Sequence, residues 1–365
     1  MTTSLWHRLA VIITMMACLL LIFIMYTSRI VRTISKVPDG GYVQHDQSPA
    51  KDDSLMVNRD QSQPIQITGC LEKYQSYLKR VIKYDKIRQE ATKPSKINRT
   101  DYNILILTPV SDSAKSLHIY FALLCSLTYP HNRISIAIGE DSSRDGTFDL
   151  ANRLATDIRP AFDSVTVYKL PARSDKFFSE QKHDKLRQLS RRRHLATARN
   201  HLLMNAINKD HDWVLWLDSD VLYYPPNLIQ LLLSPAKSIV APICLWRDSV
   251  SGVFDVYDKN TWRETNKSRN FVAKSRSANP DFLMLEGYSS SRRLYLSDLR
   301  HEGTVVPLDG VGGCTLLVNA TCHRSGLIFP PFVFDSHIET EALAKMANKM
   351  DIKIYGLPFV SVIHD

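Results

Sequence analysis

Two carboxylates separated by one residue, Asp218 and Asp220, follow an apolar run in the stretch WVLWLDSDVLYYPP (213–226). The apolar run has the length and composition of a buried strand, so the pair stands at a strand end. Side chains two residues apart in an extended backbone share a face, and two close carboxylates repel each other unless a cation lies between them. Such oxygen ligands suit Mn²⁺, or Mg²⁺, bridging to substrate phosphates. The pattern therefore indicates a divalent metal site. Its alternative is a solvated loop in which Asp220 acts as a cap.

A basic segment, RRRHLATARNHLL (191–203), precedes this strand and is predicted to be helical. Arg192 and Arg199 are seven residues apart and share one helical face. Arginine binds phosphate in a bidentate manner, so we interpret both as donor-binding residues. Asn200 is a poor helix former, which favours a polar role in the same site. The alternative is a solvated basic helix surface.

The last third of the chain supplies glycines and further carboxylates. In PLDGVGGCTLLVNA (307–320), the glycines Gly312 and Gly313 predict either a close approach of backbone to a ligand or only a turn before a strand. Asp309 beside them could face a sugar hydroxyl. Glu339 and Glu341 begin a predicted helix and are interpreted as a catalytic and an acceptor-binding carboxylate. Their alternative role is to stabilise the helix dipole.

The elements that must position these residues alternate between strand and helix. NILILTPV (103–110) is predicted as a buried strand that ends at Thr108 and Pro109, which we place at the donor site. A helix, a second strand, the polar loop GEDSSRDGT (139–147), a second helix and a third strand follow. This order predicts an α/β fold with a mostly parallel central sheet. Ligands of such sheets bind outside the carboxyl ends of the strands.

The net charge and the cysteine pattern indicate which classes of function the chain can have. The chain has 365 residues and a formal net charge of +9, much of it in the segment 182–199. No zinc-finger, helix-turn-helix or RNA-binding signature accompanies that charge, so nucleic acid is not an expected partner. Six cysteines show no zinc spacing. An oxidising compartment would allow one or two disulfides with a cysteine left over.

The N-terminal region predicts a membrane anchor. Residues 9–26 carry no charge and are just long enough to cross a bilayer as a helix. We predict a tail at 1–8, an uncleaved signal anchor at 9–26, a stem at 27–100 and a catalytic domain at 101–365. Flanking charges favour a cytosolic domain, whereas three glycosylation sequons, at Asn98, Asn266 and Asn319, favour a lumenal one. The residues alone leave the orientation open.

Six segments in order, from NILILTPV (103–110) to HIETEALAKMA (337–347), resemble the fungal mannan polymerase family, glycosyltransferase family 62. The resemblance covers about 265 residues, from Asp101 to the C-terminus. It implies a Golgi type II membrane protein with a lumenal domain of the nucleotide-diphosphosugar transferase (GT-A) fold. The implied activity is the retaining transfer of mannose from GDP-mannose, with Mn²⁺, to the α-1,6-mannose backbone of N-glycans.

The resemblance also implies roles for single residues. Asp218 and Asp220 match its metal-binding D-x-D motif, and Asp141 matches an aspartate that contacts the nucleoside. A histidine near the C-terminus often completes the metal shell in this fold, which makes His364, just past the predicted closing strand 359–363, the expected third ligand. Members often act in multi-subunit complexes, so other mannan polymerase subunits are expected partners. Two alternatives remain: a non-catalytic scaffold subunit, and a transferase with a lipid-phosphate acceptor.

Overall fold

A computed structural model describes residues 100–171, 185–248, 251–285 and 292–365. The strands are β1 (Ile104–Val110), β2 (Ile134–Glu140), β3 (Ser164–Lys169), β4 (Trp213–Leu217), β5 (Val221–Tyr223), β6 (Ile239–Arg247), β7 (Phe254–Val256), β8 (Trp262–Arg263), β9 (Leu294–Tyr295), β10 (Val306–Leu308), β11 (Thr315–Asn319) and β12 (Ile354–His364). The α-helices are α1 (Ala114–Ser126), α2 (Thr147–Ile158), α3 (Lys185–Ala206), α4 (Leu228–Leu233), α5 (Asn266–Ala278), α6 (Ala320–Arg324) and α7 (Glu339–Lys349).

The central sheet is mixed, with the order β10-β12-β6-β11-β4-β1-β2-β3. Strands β3, β2, β1 and β4 run parallel, and so do β6 and β12. The exception in the middle is β11, which pairs antiparallel with both β4 and β6. The predicted α/β class with a mostly parallel sheet is therefore confirmed. The pattern did not predict the antiparallel pairings of β5, β7, β10 and β11.

Alternation along the strands builds two cores, one on each face of the sheet. In β1, Ile104 and Ile106 pack with α1, α2 and α4, whereas Leu105 and Leu107 pack with α3, α6 and α7. We call these the α1-side core and the α3-side core. Helices cover both faces of the sheet. The strands between the two cores are therefore continuous apolar runs rather than alternations of apolar and polar residues.

Two predicted strand boundaries need correction, both near the site. The first strand does not end at Thr108 and Pro109 but continues to Val110, because β2 stays paired with it up to Glu140. The closing strand was predicted at 359–363, but β12 starts at Ile354 and includes His364. Pairing with β6 and β5 extends β12 at its two ends.

A disulfide joins Cys244 of β6 to Cys314, the residue before β11. Cys125 is also disulfide-bonded, and Cys322 is a buried free thiol. Among the described residues, Cys322 is thus the one free thiol.

No helix among the described residues has both the length and the hydropathy needed to cross a bilayer. The predicted tail (1–8), the predicted anchor (9–26) and the predicted stem up to residue 99 lie outside the described residues, and so does the sequon at Asn98.

Candidate active site

A cleft of about 460 Å³ lies at the carboxyl ends of β1, β2 and β4, where ligands of α/β sheets bind. Its remaining wall comes from α3, from the start of α7 and from the end of β12. The charged or polar residues that line it are Ser111, Ser113, Asp141, Arg191, Arg192, Arg199, Asp218, Ser219, Asp220, Asp258, Asn260, Glu339, Thr340 and His364.

Asp218, Asp220 and His364 form a cluster in this cleft, with one ligand atom of each within 4.8 Å of the others. Nε2 of His364 lies 2.9 Å from Oδ1 of Asp220. The two aspartates occupy a turn between β4 and β5, not the extended backbone assumed from the sequence. They still converge, because the Asp218 amide donates to the carbonyl of Cys314 at 3.0 Å and the Asp365 amide donates to that of Asp220 at 3.1 Å.

Electrostatics in the cluster favour a bound cation. Burial raises the pKa of the Asp218 carboxyl to about 6, and the charge of Asp220 adds to this rise while Arg199 opposes it. Burial by itself would lower the pKa of His364. The hydrogen bond to Asp220 and the charges of both aspartates outweigh burial and raise that pKa. Two carboxylates and an imidazole are donors that Mn²⁺ accepts, so the residues fit a divalent metal ion.

The ring of His364 is fixed in place by its neighbours. It stacks on Tyr257 with ring centres 3.7 Å apart and ring planes 13° apart. Its Nδ1 lies 3.1 Å from the carbonyl oxygen of Asp365. A hydrogen bond at Nδ1 orients the imidazole ring so that its other nitrogen, Nε2, can bind a metal.

Arg192 and Arg199 both bind Glu339, which places the two guanidiniums side by side in the cleft. Nη1 of Arg192 donates to Glu339 at 2.6 Å, and Nη1 of Arg199 donates to its other carboxylate oxygen. Nη2 of Arg199 lies 3.5 Å from Asp218. The predicted shared face of the two arginines is confirmed. Glu339 lines the cleft, is 1% exposed and holds both guanidiniums in place, and its catalytic role stays a prediction.

Local backbone geometry makes this arrangement possible. Glu339 adopts φ +59°, an uncommon conformation for a residue with a side chain, at the first position of α7. A Cβ on Gly313 would come 2.4 Å from Nη2 of Arg199, so only glycine lets this guanidinium lie against the backbone. Gly313 lines the cleft, and its predicted approach to a ligand stays a prediction.

Asp141 lies at the other end of the cleft, directly after β2. It is buried, and its Oδ2 is 2.5 Å from Nε2 of His194 on α3. Its backbone amide donates to Val110 at 2.8 Å, which fixes it beside the end of β1. Pro109 also lines the cleft at this end.

Three predicted site residues lie away from the cleft lining because they bind other parts of the protein. Thr108 is fully buried, and its hydroxyl bonds to that of Tyr120 at 2.6 Å. The amide of Asn200 bonds to both backbone groups of Phe329. Asp309 accepts from the backbone amide of Glu264 at 2.8 Å. In each case the sequence predicts a polar side chain that faces a ligand, whereas in the structure this side chain bonds to another part of the protein.

Glu341 lies in a separate buried charge cluster. It accepts from Nε1 of Trp262 at 2.8 Å and lies 3.1 Å from Nη1 of Arg293. Arg293 stacks over Trp262 at 3.4 Å and is 3.5 Å from Glu264. The predicted acceptor contact of Glu341 is therefore not at the cleft, because α7 turns this side chain toward the opposite side from Glu339.

Tyr257 and Asp258 line the cleft just after β7, and neither is predicted as a site residue from the sequence. Asp258 lies against Gly312, where a Cβ would be 1.5 Å from the carboxylate. Gly312, predicted to approach a ligand, instead makes room for Asp258. The sequence signal for this part of the site is an aspartate that follows a short strand, as in the D-x-D segment. The strand residues FDV (254–256) are too few, however, to predict a strand on their own.

Comparison with known proteins gives a consistent set of relatives. The Anp1 family model matches residues 81–333. The mannan polymerase complex subunit mnn9 of Schizosaccharomyces pombe is 32% identical over 289 residues, 73% of this chain and 81% of that protein. The mannan polymerase I complex VAN1 subunit of Saccharomyces cerevisiae is 30% identical over 360 residues, 80% of this chain and 66% of that protein. The chain thus spans slightly less than two thirds of VAN1.

Among solved structures, the mannosyltransferase PcManGT from Pyrobaculum calidifontis, in complex with GDP-Man and Mn²⁺, aligns with a TM-score of 0.43 at 16% identity. The alignment covers 82% of this chain and 67% of that chain. GalNAc-T7 with UDP, GalNAc and Mn²⁺ aligns with a TM-score of 0.42 at 12% identity, over 72% of this chain and 43% of that chain. At these scores neither likeness carries weight for the ligands of this chain.

Proposed function

The chain belongs to the Anp1 family, and on that premise we propose that it is a mannosyltransferase of the GT-A type. It transfers mannose from GDP-mannose to the α-1,6-linked mannan backbone of N-glycans, with retention of configuration. The observation that carries this proposal is the convergence of the acidic cluster and a pair of arginines in one cleft. Oxygen and imidazole donors beside guanidiniums suit a metal-bound diphosphate.

Different residues of the cleft would bind different parts of the donor. Asp218, Asp220 and His364 would hold Mn²⁺, with Mg²⁺ as the alternative. When bound, the ion supplies charge neutralisation for the diphosphate leaving group. Arg192 and Arg199 would donate to the phosphate oxygens, since both guanidiniums line the cleft beside the acidic cluster. Asp141, which lines the far end of the cleft, would contact the nucleoside.

Retention requires either a carboxylate nucleophile or attack by the acceptor on the same face as the leaving group. Glu339, the predicted catalytic carboxylate, is held by two arginines. Asp258 is a carboxylate in the cleft lining to which no role had been given. A covalent intermediate on Asp258 and same-face attack by the acceptor are both compatible with retention.

A transfer assay tests the activity directly. The full chain is incubated with GDP-mannose, Mn²⁺ and an α-1,6-linked mannobiose, and the anomeric configuration of the product is determined by NMR. Asp220→Asn should abolish transfer, whereas Asp281→Asn, an exposed carboxylate outside the cleft lining, should not. Equal activity of both variants would refute the metal-dependent mechanism.

The same assay separates this proposal from its two alternatives. A scaffold subunit would leave GDP-mannose unconsumed with every acceptor, and the intact cluster of Asp218, Asp220 and His364 speaks against that role. A transferase with a lipid-phosphate acceptor would consume GDP-mannose only when that lipid is present. Because the relatives are named as subunits of mannan polymerase complexes, we also propose other such subunits as partners.

We further propose a single-pass type II protein of the Golgi membrane with residues 101–365 in the lumen. Asn266 is exposed at the start of α5, whereas the side chain of Asn319 accepts from the backbone of Thr321 and caps α6. A lumenal domain should therefore carry a glycan at Asn266. Endoglycosidase treatment of the wild type and of Asn266→Gln, together with protease protection in sealed vesicles, tests this. Digestion of the domain in intact vesicles would overturn the topology.

A further inference from the structure

Two large aromatic side chains stand partly exposed where β6 pairs with β7. Trp246, near the end of β6, is 37% exposed, and Tyr257, directly after β7, is 41% exposed. Tyr257 lines the cleft itself. Tryptophan and tyrosine usually bury most of their surface, so neighbouring exposed rings next to a polar cleft call for an explanation.

Strand alternation places both rings on one face of the sheet. In β6, Cys244 packs in the α1-side core and Leu245 in the α3-side core, so Trp246 continues the face of Cys244. Trp246 pairs with Asp255 of β7, and Tyr257 lies two residues beyond Asp255. Tyr257 therefore shares that face with Trp246 and Asp255.

The contacts of Tyr257 tie this face to the acidic cluster. Its ring stacks on His364 at 3.7 Å, and its amide donates to the carbonyl of Cys244 at 3.0 Å. The next residue, Asp258, lines the cleft. Tyr257 thus borders the end of the cleft that holds the metal-ligating side chains, and Trp246 extends the same face of the sheet away from it.

We propose that Trp246 and Tyr257 form a stacking platform for one hexopyranose ring of the acceptor glycan. This assignment rests on the proposed function and adds to it the place where the acceptor binds. A pyranose presents an apolar C–H face that packs on an aromatic ring, while its hydroxyl edge needs hydrogen-bond acceptors. Asp255 and Asp258 supply carboxylates next to the two rings.

The charges beside the two rings favour a neutral sugar over a phosphate group or an anionic lipid. The neighbouring carboxylates of Asp255 and Asp258 repel phosphate groups and anionic lipid surfaces, whereas a neutral polyol can donate hydrogen bonds to them. A sugar on the platform also borders the site proposed for the donor mannose, as a glycosyl acceptor must. The aromatic pair and the flanking carboxylates therefore fit an uncharged saccharide.

Tryptophan fluorescence of the full chain gives a direct readout. Among the described residues, Trp213, Trp216 and Trp262 are buried, so the exposed emission comes from Trp246 once Trp6→Phe removes the remaining tryptophan. Titration with α-1,6-linked mannobiose should shift the emission to shorter wavelength and protect it from acrylamide. Trp246→Phe in this background should lose both changes.

Affinity measurements complete the test. Trp246→Ala should raise the Kd for mannobiose about tenfold, the size expected for one aromatic stacking contact, and Trp246→Phe should recover part of the loss. The Kd for GDP, measured on the same samples, reports whether the donor site is still folded. Phe332→Ala is the matched control, because Phe332 is another exposed aromatic residue that does not line the cleft.

The outcomes distinguish the platform from the function on which it rests. A wild-type chain that neither binds GDP-mannose nor transfers mannose refutes the proposed function. A wild-type chain that transfers mannose, with an unchanged acceptor KM in Trp246→Ala, refutes the platform alone. Loss of co-purifying subunits from Trp246→Ala with unchanged mannobiose affinity would assign this face to a protein partner and would also overturn the platform.

Discussion

Replacing Glu339 by glutamine should destabilise the protein strongly, because its carboxylate is the shared partner of two buried arginines. The Glu339 side chain is 1% exposed, and those of Arg192 and Arg199 are 10% and 7% exposed. Glutamine removes the charge and turns one acceptor oxygen into a donor that faces a guanidinium. Removing one partner of a buried ion pair costs about 3–5 kcal/mol.

The lower end of that range applies here. Arg199 keeps Asp218 at 3.5 Å as a second anionic neighbour, and the cleft admits water to both guanidiniums. We therefore expect a loss of about 3 kcal/mol in the free energy of unfolding. At about 2–4 °C per kcal/mol for a domain of this size, the thermal midpoint should fall by about 6–12 °C.

Thermal unfolding followed by circular dichroism measures this change. The control is Arg276→Gln, which removes an exposed ion pair with Asp335 and should cost at most about 1 kcal/mol. High salt should reduce the effect of the control but not that of Glu339→Gln, because salt screens exposed charges far more than buried ones. A midpoint for Glu339→Gln within about 2 °C of the wild type would refute the buried pairing.

Other predictions address the metal, the donor and the disulfide. Asp218→Asn and His364→Asn should each raise the Mn²⁺ concentration for half-maximal transfer at least about tenfold, as measured by metal titration. The Mn²⁺ requirement should also rise as the pH falls, because a protonated imidazole cannot bind metal. The pKa of His364 lies above its ordinary value of 6.5, so this rise should already begin near neutral pH. Arg199→Ala should weaken GDP binding by about 1.5–3 kcal/mol in calorimetry, and Arg199→Lys should recover only part of it. Serine at both Cys244 and Cys314 should lower the free energy of unfolding by about 4 kcal/mol in denaturant titrations, because their disulfide closes a loop over a separation of 70 residues. A wild-type protein whose unfolding is insensitive to reductant would contradict this.

Local patterns explain what could be predicted from the sequence. The apolar run 213–217 followed by two carboxylates indicated a strand end, and the structure places Asp218 and Asp220 there. Helical spacing of seven predicted the shared face of Arg192 and Arg199, which their common partner confirms. Both signals depend only on neighbours along the chain.

Long-range packing explains what could not be predicted. Glu339 lies 140 residues from Arg199 along the chain, and nothing in its local sequence distinguishes an ion pair in the core from a helix-dipole carboxylate. Tyr257 and Asp258 reach the cleft through the pairing of β6 with β7, which FDV does not indicate. Thr108 was misplaced because the end of β1 depends on its neighbour β2, not on its own residues.

The first turn of α7 limits how this protein can change by insertion and deletion. Glu339 reaches the arginines of the cleft, and two residues later Glu341 reaches the buried cluster of Trp262 and Arg293. A single residue inserted between Glu339 and Glu341 would rotate one carboxylate about 100° around the helix axis relative to the other and break one of the two anchors. Length variation among homologues should therefore be absent from the first turn of α7. It should accumulate instead in connections that hold no predicted site residue, such as the one between β6 and β7.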